Sequence, residues 1–184
     1  ITGKAAGSVL VRNARFSFAF THPRTIRAGE PYQASMTILN TSTTDGINLP
    51  AQGDAAMGAL LGTFWGPDFS NAANQKFVAD FEAKYKRIPS QYAAQAYDSA
   101  LLLDSALAKV KGNVGDKKAF QAALKAADFK SVRGEFKFNN NGYPVQDLHV
   151  FEAIKDARGR FTLKTVATPL KADKDAYFEK CPLK

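Results

Sequence analysis

Apolar residues alternate with polar ones near the start of the chain and recur every three or four residues further on. This change of period divides the sequence in two. In "ARFSFAF", Phe16, Phe18 and Phe20 fall on one side of an extended strand. "PYQASMTILNTSTT" is rich in β-branched and aromatic residues and ends in a Ser/Thr/Asn cluster, the pattern of a second strand, and Pro23, Gly29 and Pro31 punctuate the turn between them. Residues 1–48 therefore read as a β-rich segment. From about residue 52 the pattern becomes strands alternating with long helices. "AMGALLGTFW" (Ala56 to Trp65) is short enough to be a buried strand. Ser70 and Asn71 are good helix caps, and Phe77, Phe81 and Tyr85 follow at i, i+4 spacing as one apolar stripe that Pro89 stops. A second helix opens near Ser90, with Tyr92, Ala93, Ala96, Tyr97, Ala100, Leu103, Leu107 and Val110 as its expected buried face and Gly112 as its C-cap. A third runs from a cap at Asp116 through Phe120, Leu124 and Ala127.

"GEFKFNNNGYPVQDLHVFEAI" (Gly134 to Ile154) then reads as a strand, an asparagine turn closed by Gly142, and a strand near Leu148 to Ile154. The turn "DARGR", a strand "FTLKTVA" and a short terminal helix in "KDAYFEK" complete the pattern. A strand, three helices and three strands fit an α/β layer better than a bundle or a sandwich. The amino-terminal part has too few strands for a complete sandwich of its own.

Composition narrows the function classes. With 184 residues and 45% hydrophobic content, the chain can bury one sizeable core. No apolar run approaches the roughly 20 residues that cross a bilayer, and "ITGKAAGSVLVRN" does not have the pattern of a signal peptide. The net charge of +8 favours acidic partners, but the excess is dispersed, with "DKK" and "YKR" its densest spots, as on a solvated surface. Gly112 to Gly115 form a G-x-x-G between helices with Lys117 and Lys118 after it, the spacing of a nucleic-acid backbone clamp. A glycine C-cap, a short turn and an aspartate N-cap explain the same letters, and the lysines lie outside the loop, so no nucleic-acid partner is expected. Cys181 is the only cysteine, which excludes an internal disulfide and leaves a pairing outside the chain open.

His22 and His149 are the only histidines, without metal-ligand spacing and without a G-x-S-x-G elbow. His149 follows Asp147 by two residues, which strand alternation explains by itself. Glu135 and Asp147 read as solvated carboxylates. We therefore expect no catalytic residue, no metal and no cofactor. Trp65 carries more weight, because it ends a short buried strand where open α/β sheets present ligand crevices.

The stretch "GTFWGPDFSNAANQKFVADFEAKYKRIPSQYAAQAYDSALLLDSAL", followed by "AFQAALKAADFKSVRGEFKFNNNGYPVQDLHVFEA", resembles the C-terminal part of periplasmic solute-binding proteins of the branched-chain amino-acid family, the type I receptors of ABC importers. The shared motifs are an apolar strand, a W-x-P-D-like turn, N-x-x-N opening a helix, F-x-x-x-F/Y, a proline and A-x-x-A-Y-D. The likeness covers about residues 52–184 and implies part of a three-layer α/β/α lobe with the N-terminal β-rich segment attached. It implies a non-catalytic periplasmic receptor that closes on a small carboxylate-bearing ligand, an aromatic compound or a branched-chain amino acid, and hands it to an importer's membrane permease. The strands around the asparagine turn resemble the family's hinge-side strands. "AGEPYQASMTILNTS" more weakly resembles a bacterial immunoglobulin-like segment, which makes a non-catalytic interaction module the alternative reading. Whether those first strands pair into the α/β sheet separates the two readings. By the resemblance, a pocket-lining position falls near Met57, where branched-chain receptors use an acidic residue; methionine there favours an apolar or aromatic acid. Trp65 and Tyr97 are the further candidates for an aromatic wall. A homodimer would be the expected partner if the first lobe were missing.

Overall fold

The computed structural model describes residues 44–181 and, of the preceding part, the backbone of 16–21 and 35–40. The turn expected around Pro23, Gly29 and Pro31 lies outside the described residues. The elements in chain order are β1 (Phe16–Thr21), β2 (Ser35–Asn40), a one-turn helix α1 (Leu49–Gln52) running into a 3₁₀ turn (Gly53–Ala56), β3 (Leu60–Thr63), α2 (Ala72–Tyr85), α3 (Gln91–Lys109), α4 (Lys117–Ala126), β4 (Lys137–Phe138), β5 (Pro144–Lys155) and β6 (Phe161–Asp173).

The described strands form one six-stranded sheet in the order β1-β2-β3-β5-β4, with β6 on the other side of β5. The amino-terminal strands pair into this sheet: β1 is antiparallel to β2, and β2 is parallel to β3, with Leu39 beside Leu60. β5 is the hub. It runs antiparallel to β3 (Leu61 opposite Phe151), to β4 and, over nearly its whole length, to β6. Register shifts between Gln146 and Phe151 bend and twist the β5–β6 ribbon.

The helix N-caps fall where expected, whereas α3 ends earlier than expected, with Val110 and not Gly112 as its C-cap. Asn71, Ser90 and Asp116 each accept a hydrogen bond from the backbone N–H three residues on, which satisfies one of the donors a helix start leaves open. Two apolar clusters form the core. One joins Leu49, Leu61, Phe151, Ala153 and Leu163; the other joins Trp65, Phe77, Ala94 and Val132.

Several expectations are corrected. The strand expected over Ala56–Trp65 is only Leu60–Thr63, because Gly53–Ala56 closes a 3₁₀ turn first. β5 starts at Pro144, ahead of Leu148, and residues 176–180 form turns in place of a terminal helix. The largest difference concerns α3. Its buried residues are Gln91, Ala94, Asp98 and Ala106, whereas Tyr92, Leu103 and Leu107 are exposed. Small side chains let α3 approach its neighbours, and hydrogen bonds make the burial of Asp98 affordable.

Candidate ligand-binding site

The chain leaves β3 through Phe64–Asp68, and the buried interactions around this turn set the site. Trp65 is 2% exposed, and its Nε1 donates to Asn74 Oδ1 at 2.7 Å. Asn74 is also fully buried, and its Nδ2 donates to the carbonyl of Phe69 at 3.2 Å. Asn71 accepts from the Asn74 N–H at 2.9 Å and donates through Nδ2 to the Val132 carbonyl at 3.1 Å. The N-x-x-N motif thus spends its first asparagine on capping α2 and its second on bracing the turn, so the indole and amide are both satisfied. Asp68 accepts from the backbone N–H and the hydroxyl of Thr165, at 2.7 and 2.8 Å, which pins the turn to β6.

Asp98, from the A-x-x-A-Y-D motif, organises the other side. Its carboxylate accepts from Ser131 Oγ at 2.6 Å and from the Val132 N–H at 2.9 Å, and holds Arg133 Nε at 3.2 Å. That last contact is an ion pair without hydrogen-bond alignment. The Arg133 guanidinium lies 4.4 Å from the Phe64 ring centroid and 5.3 Å from that of Phe136, and Nη1 donates to Gln146 Oε1 at 2.9 Å. Burial pulls the pKa of Arg133 below its ordinary value, while Asp98 opposes that shift.

Two cavities flank this frame. The first, about 410 Å³, has Trp65, Pro67, Ile88, Phe161 and Leu163 among its walls and Lys86, Arg87, Ser90, Gln91 and Arg160 as its polar groups. Arg160 is held by Glu82 and Asp156, both at 2.8 Å, and these bonds raise its pKa. Gln91 accepts a hydrogen bond from Thr63 Oγ1, which ties the start of α3 to β3. Asp45, the carboxylate on this wall, accepts from the N–H groups of Ile47 and Asn48. The second cavity, about 800 Å³, includes Phe64, Phe136, Arg133, Gln146 and His149 in its lining. Consecutive residues Phe64 and Trp65 thus line different cavities.

The three residues singled out from the sequence are not gathered in one wall. Trp65 lines the first cavity from within the core. Tyr97 packs its ring 4.7 Å from Phe77 in the core beneath. Met57 ends the 3₁₀ turn and packs against the Leu61–Phe151 cluster. Arg87 and Arg133 were not singled out; the dense "YKR" marked Arg87, and no local pattern marks Arg133. Asp147 and His149 have separate partners: Asp147 accepts from the Ala172 N–H, and His149 Nδ1 lies 2.9 Å from Thr168 Oγ1. Burial lowers the pKa of His149, against the opposing pull of Asp147 and Asp68.

No curated protein matches the chain. Among solved structures, an ABC transporter solute-binding protein from R. palustris in complex with benzoate is 34% identical, with a TM-score of 0.60 over 74% of this chain and 38% of that one. A solute-binding protein from Rhodopseudomonas palustris BisB5 in complex with 3,4-dihydroxybenzoic acid is 26% identical, with a TM-score of 0.67 over 75% and 38%. A substrate-binding protein from Sphaerobacter thermophilus is 27% identical, with a TM-score of 0.64 over 71% and 36%. The chain therefore spans well under half the length of each. A family model described as periplasmic binding protein matches residues 23–158, most of the chain and both sides of the turn after β3. With these motifs, this sheet and these likenesses together, the chain belongs to the periplasmic binding protein family, as part of a lobe of the type I, branched-chain amino-acid-type fold.

Proposed function

We propose that the chain is the solute-binding part of a periplasmic receptor that delivers a small aromatic carboxylate to an ABC importer's permease, without chemical turnover. The observation that carries this reading is the first cavity. It lies within the few hundred Å³ common for small-molecule sites and combines apolar walls with Lys86, Arg87 and Arg160. An aromatic ring placed against Trp65, Phe161 and Ile88 loses water on both faces, worth about 2–3 kcal/mol. Its carboxylate then meets Arg87 and Lys86, which open the segment after α2. Trp65 serves as the wall, while Tyr97 and Met57 act from behind by fixing the two core clusters. The benzoate and dihydroxybenzoate bound by the relatives support the same ligand class. We place the amino-terminal strands in this receptor unit as well, since β2 pairs with β3 and the family match begins at residue 23.

Thermal denaturation and calorimetric titration with benzoate, p-hydroxybenzoate and L-leucine test the proposal. Benzoate at about a hundred times its Kd should stabilise the fold by about 2.7 kcal/mol. Arg87→Ala should weaken binding about tenfold through loss of a charge-assisted contact. Stabilisation by L-leucine alone, or by none of the three, would refute the aromatic-acid assignment.

A further inference from the structure

The second cavity is built differently from the first. Its lining includes a cation, Arg133, whose side chain is only 11% exposed. The nearest carboxylate, Asp98, already accepts from Ser131 Oγ and the Val132 N–H, so it touches Arg133 only through the misaligned Nε contact. The usual forked arginine–carboxylate pair is therefore absent, and Gln146 takes one proton of Nη1. Phe64 and Phe136 cover the guanidinium faces and keep it from swinging. The other charged groups of the lining, Lys130, Lys137, Glu135 and Asp147, are exposed residues of both signs. Solvent screens them, so the buried guanidinium dominates the field inside.

We propose that this cavity is a second ligand site, which takes a compact oxyanion, carboxylate or phosphate, on the guanidinium of Arg133. A planar or tetrahedral oxyanion replaces the fork that Asp98 does not supply. The rings of Phe64 and Phe136 beside it suit the apolar part of a small organic acid.

The test is an amide-resolved NMR titration of the whole chain with sodium phosphate and with sodium benzoate, against sodium chloride at matched ionic strength. Saturable shifts of the Ser131–Glu135 and Gln146 amides are expected with at least one of the two anions. Phosphate alone identifies a free-phosphate site, and benzoate alone identifies a carboxylate site. Benzoate held in the first cavity would instead move Ile88–Gln91 and Thr162, so the two sites report separately and either can fail without the other. Arg133→Lys should weaken the second site about tenfold, because an ammonium cannot replace the planar donor edge. Gln146→Glu, which sets a carboxylate against Nη1 without removing the arginine, should abolish saturation. Shifts that chloride reproduces, no saturable shift with either anion, or an affinity unchanged in Gln146→Glu would each overturn the proposal.

Discussion

Replacing Asp98 by alanine should be among the most damaging single changes on the buried face of α3. The carboxylate is 3% exposed and carries three interactions, to Ser131, Val132 and Arg133. Removing it leaves the buried Arg133 cation without its counter-charge, a change that typically costs about 3–5 kcal/mol. The stranded Val132 N–H and Ser131 hydroxyl add to that cost. A domain of this kind has about 5–15 kcal/mol in total, so the variant would sit near the edge of folding. Asp98→Asn keeps an acceptor for Val132 but loses the charge, and should cost less, about 1.5–3 kcal/mol. The double variant Asp98→Ala/Arg133→Met removes the uncompensated cation and should recover part of the loss. Urea unfolding followed by tryptophan fluorescence reads all three, since Trp65 is the only tryptophan and lies in the neighbouring core. A cost below about 1 kcal/mol for Asp98→Ala, with an unchanged urea slope, would refute the claim that this carboxylate fastens α3 to the Ser131–Arg133 segment.

Other expectations follow from single contacts. A Cβ at Gly66 would lie 2.1 Å from Phe151 Cε1, a ring buried in the core, so Gly66→Ala should destabilise by about 1–3 kcal/mol or more in the same urea assay. His149 has a pKa below the ordinary value of about 6.5, so between those two values the unfolded chain binds the proton and the folded chain does not. Stability should therefore be full above pH 7 and fall as the pH drops through 6.5 toward the folded value, and His149→Gln should flatten that part of the Tm–pH curve. Arg160 is partly exposed, and its bonds to Glu82 and Asp156 lie near the surface; Arg160→Ala should cost about 1 kcal/mol or less, and less still in high salt.

The local signals read from the sequence correspond to local physics. Asn71, Ser90 and Asp116 cap their helices because a short polar side chain next to an apolar-periodic run has one good use there. Gly142 has the positive φ of 76° that the asparagine turn requires. The site was less legible. Periodicity puts Tyr92, Leu103 and Leu107 on the buried face of α3, and the structure turns them outward: the buried face holds Gln91, Ala94, Asp98 and Ala106, and Asp98 is fastened there by partners that periodicity does not see. Trp65 is expected to end the strand but lies in the turn two residues past Thr63, and its hydrogen-bond partner Asn74 belongs to the next helix. Arg133 acquires its surroundings from the turn after β3, from α3 and from β5, three segments far apart in sequence, so no local pattern can mark it.

The central place of β5 has a consequence for the order of assembly. Leu60 pairs with Glu152, so β3 leaves the ribosome long before the strand that covers its open edge. The intervening helices must wait beside a β3 that is paired with β2 on one edge and open on the other. Closing so distant a pairing is entropically slow, and it comes only once the chain has been made through β5. Helices α2 to α4 therefore form early as local structure, while cooperative packing waits for β5 and its ribbon partner β6. A nascent chain stopped before Pro144 holds helices beside a sheet whose β3 edge is still open, a species exposed to misassembly.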